Sequence, residues 1–143
     1  MVRVEHSIVV NRPPAEVFAY TTDASVLHEW QSTALEAHFD GLPGVGVRGK
    51  EVRKFLGRRM ESEVEITAYE PDRRFALKVV SGPVPFNFEQ TIEPTNGGTK
   101  MHVVLEGEPG GFFKLAEPLV ERAVRRQVKA DYEQLKDILE SRD

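Results

Sequence analysis

Two kinds of residue in this chain could carry chemistry by type: four scattered histidines, and a glutamate and arginine two apart on one short strand. His6, His28, His38 and His102 include no pair at ligand spacing, so none has a metal-binding partner of its own kind. His38 and His102 fall on the polar phase of their segments and read as solvated. His28, beside Trp30 in a short helix, is the one histidine expected near a cavity wall, where a structural role competes with a catalytic one. Glu51 and Arg53 share a strand phase with Val47 and Phe55. Facing inward, they would form a buried ion pair or a polar cavity feature; a bulge near Gly49 would turn them out, and the residues leave both open. Gln90 lies in phase with Phe86, Phe88 and Ile92, where a buried amide must find partners. We expect its partner to be a ligand or cavity water. With no cysteine, there is no disulfide, thiolate nucleophile or cysteine-ligated metal.

Gly44-Val45-Gly46-Val47-Arg48-Gly49 has the spacing of a dinucleotide fingerprint. That chemistry requires a helix to follow, so that phosphate meets its N-terminus. Lys50 to Phe55 alternates like a strand instead, and the glycines read as a strand-to-strand turn. Two basic clusters stand out: Arg48, Lys50, Arg53, Lys54, Arg58 and Arg59, and then Arg122, Arg125, Arg126 and Lys129. Nearby glutamates, including Glu61, Glu63 and Glu65, offset them, so a solvated face is the first reading and an acidic partner the second.

The elements that must position these residues are a helix and a run of strands. Val120, Val124, Val128, Tyr132, Leu135 and Leu139 recur in steps of three and four, which predicts an amphipathic helix from Pro118 to Ser141. At 1.5 Å per residue it would be roughly 35 Å long. A separate short helical piece is expected after Gly110-Gly111. Upstream, Val2 to Val10 alternates as a strand, and Asn11-Arg12-Pro13-Pro14 opens two short helices that end near Trp30. About six further strands follow, the cleanest being Met60 to Tyr69, where Glu61, Glu63 and Glu65 alternate with inward residues. Short turns, such as Asn96-Gly97-Gly98, imply antiparallel pairing. The expected class is α+β: a curved antiparallel sheet of about seven strands wrapped on one long C-terminal helix.

A chain of 143 residues is expected to form one domain, residues 1–143, with a real core. Its formal charge of −4 gives no support to nucleic-acid binding. No apolar run is long enough for a membrane span and the N-terminus lacks a signal-peptide core, so a cytoplasmic location is expected. No cofactor or metal is implied.

The order of several segments resembles the START-like (SRPBCC) superfamily, and within it the polyketide cyclase/dehydrase-like proteins. The resemblance rests on Ile8 to Phe18, Asp23 to Trp30, Gly44 to Arg48, Gly57-Arg58-Arg59, Tyr69 to Arg74, Gly97-Gly98-Thr99 and Ala130 to Glu140. It implies a helix-grip fold with a deep apolar cavity between sheet and C-terminal helix. It does not imply one reaction, since members include aromatase/cyclases, lipid carriers, hormone receptors and chaperone-associated domains.

The expected function is therefore binding of a small, largely apolar molecule (a lipid, sterol or aromatic polyketide-like compound) in that cavity. Trp30, Met60, Val64, Phe75, Leu77 and Phe86 are expected to line it. Phe88, Gln90, Met101, Phe112, Leu115 and Leu119 complete the set, with Gly82, Gly110 and Gly111 allowing the rim to move. One alternative is a cyclase or dehydratase, for which His28, Glu51 and Arg53 are the acid–base candidates. Another is a protein-interaction module that docks through Arg122, Arg125, Arg126 and Lys129, with its partner unknown.

Overall fold

The computed structural model describes residues 1–108, 114 and 116–142. Strand β1 (Val2–Val10) buries Val2, Val4 and Val10 and leaves Arg3 and Glu5 exposed, as its alternation requires. Pro14 opens α1 (Pro14–Thr21), where the missing N–H of proline costs nothing in a first turn. Asp23 then accepts the Ser25 N–H and starts a 3₁₀ turn (Ala24–Val26) that runs into α2 (Leu27–Trp30). Six strands follow: β2 (Ala34–Phe39), β3 (Arg48–Phe55), β4 (Arg58–Glu70), β5 (Arg74–Ser81), β6 (Phe86–Thr95) and β7 (Gly98–Gly107). Helix α3 (Glu117–Glu140) follows them, with Pro118 in its first turn. The short helical piece expected after Gly110-Gly111 falls outside the described residues. No described helix is long and apolar enough to cross a membrane.

The seven strands make one antiparallel sheet in the order β1-β7-β6-β5-β4-β3-β2. The first strand pairs with the last, from Val2 opposite Gly107 to Val10 opposite Thr99. Register shifts at Ala34/Glu36 in β2, and at Glu63/Val64 and Ile66/Ala68 in β4, add local twist that curls the sheet. Helix α3 lies in the resulting hollow, which is the helix-grip arrangement. Gly49, the last glycine of the fingerprint-like stretch, sits inside β3. A Cβ there would collide with the His38 carbonyl on β2. Its role is close strand approach, and a strand follows it rather than a helix.

The core is unevenly distributed along α3. Its C-terminal half buries Tyr132, Leu135 and Leu139 among Val10, Val17, Phe18, Ile92 and Met101. Its N-terminal half buries Val120, while Val124 and Val128 are only partly covered. Leu119, expected on the cavity wall, is 63% exposed: it falls on the solvent side, one residue before the buried Val120. Arg122, Arg125, Arg126 and Lys129 share that outward side, and Arg125 pairs with Glu121 one turn away at 3.0 Å. Leu135, with 0% of its surface exposed, fixes the helix to the sheet. Leu135→Ala is expected to cost about 2–5 kcal/mol in urea unfolding. Leu119→Ala should stay within about 0.5 kcal/mol of the parent.

Candidate ligand cavity

Between α3 and the open half of the sheet lies a cavity of about 240 Å³. Its walls come from Phe55 and Met60 on the β3–β4 hairpin, Phe86, Phe88 and Leu105 on β6 and β7, and Val120, Val124 and Val128 on α3. Strand alternation sends each of these side chains inward, and the helical stripe closes the far side. Of the residues expected to line the space, Trp30, Met60, Val64, Phe75, Leu77, Phe86, Phe88 and Gln90 do so. Met101 does not. It is fully buried between Ile8 and Ile92, its cross-strand neighbours, under the helical layer. Leu119 is excluded by its exposure, and Phe112, Leu115, Gly110 and Gly111 lie outside the described residues. Gly82 is a close-packing position rather than a free rim, since a Cβ there would come within 2.6 Å of Ser62 Oγ.

Polar groups gather at one wall. Glu51 and Arg53 both face the cavity, so β3 keeps its phase through Gly49 and the irregularity sits in β2 instead. Arg53 donates from Nε to Glu51 Oε1 at 2.9 Å, from Nη2 to Glu51 Oε2 at 3.4 Å, and from Nη1 to Thr33 Oγ1 at 3.0 Å. A carboxylate so deeply placed requires that pairing. Near them, Asp131 on α3 is 8% exposed. Its Oδ1 accepts from Ser32 N at 3.2 Å, Ser32 Oγ at 3.3 Å and Gln127 Nε2 at 3.0 Å. Gln127 Nε2 also donates to Ser32 Oγ. Burial holds the Asp131 carboxyl above the ordinary carboxylate range; the Ser32 and Gln127 bonds and the Arg53 charge oppose that rise.

Deeper in, a chain of directed bonds crosses from helix to sheet. Tyr132 OH donates to Gln90 Oε1 at 3.2 Å, Gln90 Nε2 donates to Thr21 Oγ1 at 2.8 Å, and Thr21 Oγ1 donates to the Val17 carbonyl at 2.9 Å. The partners of Gln90 are therefore protein groups, not the ligand or water its strand phase suggested. A sheet-only reading could not see that α1 and α3 would each bring a hydroxyl to it. Burial, reinforced by the Asp131 charge, pushes the Tyr132 phenol well above its ordinary range. Trp30 packs edge-on against Tyr132 with ring centroids 5.1 Å apart. Its buried Nε1 has no partner among the described residues.

Among the acid–base candidates, His28 is exposed and lies off the cavity, on the outer side of α2 against β2. The short helix turns Trp30 inward and leaves His28 outside. His38 is exposed, and His102 bonds Ser7 Oγ at 2.7 Å on the outer face of the sheet. His38 borders the cavity at its exposed edge, whereas His6, on the phase of Val2 and Val4, faces α3 outside the cavity lining, with its ring 6.2 Å from Tyr132. Tyr132 falls on the helical stripe the sequence predicts, but Asp131 escapes that reading although a signal is present. Asp131 follows Val124 by seven residues and Val128 by three, which puts it on the covered stripe.

The fold and an apolar cavity under its helix define a START-like domain. The chain belongs to the family described as polyketide cyclase / dehydrase and lipid transport, which matches residues 1–140. This fold generally binds hydrophobic ligands. Among solved structures, the chain is similar to the TTHA0849 protein of Thermus thermophilus, at 17% identity, with 99% of each chain covered and a TM-score of 0.84. It is also similar to a START superfamily protein of Mycobacterium smegmatis, at 12% identity over 99% of each chain with a TM-score of 0.80. A third is the MLL2253 protein of Mesorhizobium loti, at 18% identity over 99% of this chain and 98% of that one, TM-score 0.75. At such identities the likeness establishes the fold alone. No protein of curated function matches the sequence.

Gln90→Leu removes the acceptor of one buried hydroxyl and the donor to another, so it is expected to lower apo-protein stability by about 1–3 kcal/mol in urea unfolding. Asp131 gives a pH signature. Its folded pKa is raised, so the folded state binds more protons than the unfolded state between the ordinary value of 3.8 and the folded one. Its contribution to stability is greatest below that window and falls as pH rises through it. Asp131→Asn lacks this term. Stability measured against the parent should therefore shift in the variant's favour as pH rises above the ordinary carboxylate value of 3.8.

Proposed function

We propose that this protein binds a small, largely apolar molecule in the cavity under α3. The observation that carries the reading is the cavity itself, about 240 Å³ walled mainly by Phe, Met, Leu and Val side chains. Unfilled apolar volume in a protein interior costs about 24 cal/mol per Å³, so retaining a space of this order forfeits several kcal/mol of packing. Contacts with an apolar ligand would return much of that. The size is near the lower end of small-molecule sites, about 300–1,000 Å³. Small ring systems and short chains therefore suit it better than a sterol or a phospholipid. Membership of a family whose fold generally takes hydrophobic ligands supports the same reading.

The expected result in a thermal-shift screen of small aromatics and short-chain alcohols is stabilisation that grows with ligand concentration. At one hundred times Kd it should reach about 2.7 kcal/mol. Val124→Phe places a ring in the space from a position only partly covered in the helix. That variant should keep or gain apo stability and lose the ligand-induced shift. A shift that survives Val124→Phe undiminished would locate the binding elsewhere.

A further inference from the structure

The polar wall of the cavity is unevenly charged. Glu51 and Asp131 are carboxylates, and Arg53 is the one cation bonded into the cluster among the described residues. Lys50 reaches the cavity edge, but its ammonium pairs with Glu61 on the outer face at 3.7 Å. Hydrogen-bonding capacity is uneven as well. Asp131 takes all three of its donors on Oδ1, leaving Oδ2 with no partner among the described residues. Three of the five N–H groups of Arg53 are committed to Glu51 and Thr33, and two remain. The two residues border the same end of the cavity: Asp131 bonds Ser32, and Arg53 bonds Thr33, the next residue along the chain. An unused acceptor and unused donors thus stand together at the end of an otherwise apolar space.

We propose that this wall selects a neutral ligand whose apolar body ends in one hydroxyl group, and that it rejects the same body ending in a carboxylate. The inference rests on the binding reading above and adds the class of ligand. A hydroxyl both donates and accepts, so it can give its proton to Asp131 Oδ2 and take an N–H from Arg53. A carboxylate can only accept. It would also bring a third negative charge to a site where one guanidinium already faces two, in surroundings of low dielectric. A hydrocarbon of the same shape would leave Asp131 Oδ2 and the free Arg53 N–H groups stripped of water and unpaired.

Equilibrium dialysis of the whole chain at about pH 8 against 2-naphthol, 2-naphthoate and 2-methylnaphthalene tests this, because the three share a ring system and differ at the polar end. The expected result is 2-naphthol binding at least about tenfold more tightly than 2-naphthoate and severalfold more tightly than 2-methylnaphthalene. Asp131→Asn removes one negative charge while keeping an oxygen for Ser32 and Gln127. It should narrow the gap between naphthol and naphthoate to under about threefold. The comparison on the unmodified protein stands by itself should the variant fail to fold. If 2-naphthoate or 2-methylnaphthalene binds as well as 2-naphthol, the hydroxyl selection is overturned and the apolar cavity survives. If none of the three binds, the binding reading falls with it.

Discussion

The structure depends on one mismatch of shape: a single helix of 24 residues has to cover a sheet that curls. A helix of that length runs about 36 Å, and its apolar stripe can meet the inner face of a concave sheet along only part of its course. Contact is made at the C-terminal half, where Tyr132, Leu135 and Leu139 enter the main core. Toward the N-terminal half the contact thins, and Val124 and Val128, packed in part against the Val2 and Val4 cluster, also border open space. The cavity is thus a consequence of curvature. It is maintained by the strand-register shifts that bend the sheet and by the hydrogen bonds that hold one end of the helix in place.

Those hydrogen bonds are as lopsided as the packing. At the C-terminal end, Arg12 Nε donates to the Leu139 carbonyl at 2.8 Å and Lys136 Nζ to the Val9 carbonyl at 2.7 Å. The Asn11 N–H reaches Glu140 at 2.8 Å. The relay from Tyr132 through Gln90 to Thr21 adds a buried tie that joins α3, β6 and α1. At the other end, the Met1 ammonium and Glu117 form an exposed pair at 2.8 Å, an interaction that contributes little in water. Local stability should therefore fall along α3 from its C-terminus to its N-terminus. Among the described residues, the end with fewer ties is the end that walls the cavity with Val120 and Val124, which fits a site that must admit and release a ligand.

Much of this was legible in the sequence, because alternation and helical periodicity are local signals. The strand run, the two short helices after β1 and the long amphipathic helix all follow from side chains that must reach one face. So do the inward positions of Phe86, Phe88 and Trp30. What the sequence left open depended on partners distant along the chain. Whether Glu51 and Arg53 face in was undecided because a bulge on either strand would alter the outcome, and the shift lies in β2, opposite them. Met101 and Leu105 share a strand phase, yet one is sealed beneath helices and the other borders the cavity. Only the point where α3 leaves the sheet separates them. The partners of Gln90 are invisible to strand phase alone because Thr21 lies 69 residues away and Tyr132 lies 42.

Trp30 allows the central claim, an apolar space open to small molecules beneath α3, to be measured directly. It is the only tryptophan in the chain, it borders the cavity, and it is 2% exposed. Its fluorescence should be quenched by bromobenzene along a saturating curve, as expected when a heavy-atom quencher fills a finite site. Iodide, an anion excluded from a buried apolar site, should have almost no effect. Bromobenzene quenching that rises linearly without saturation, or that is matched by iodide, would mean that no such site lies beside Trp30 and would contradict the account.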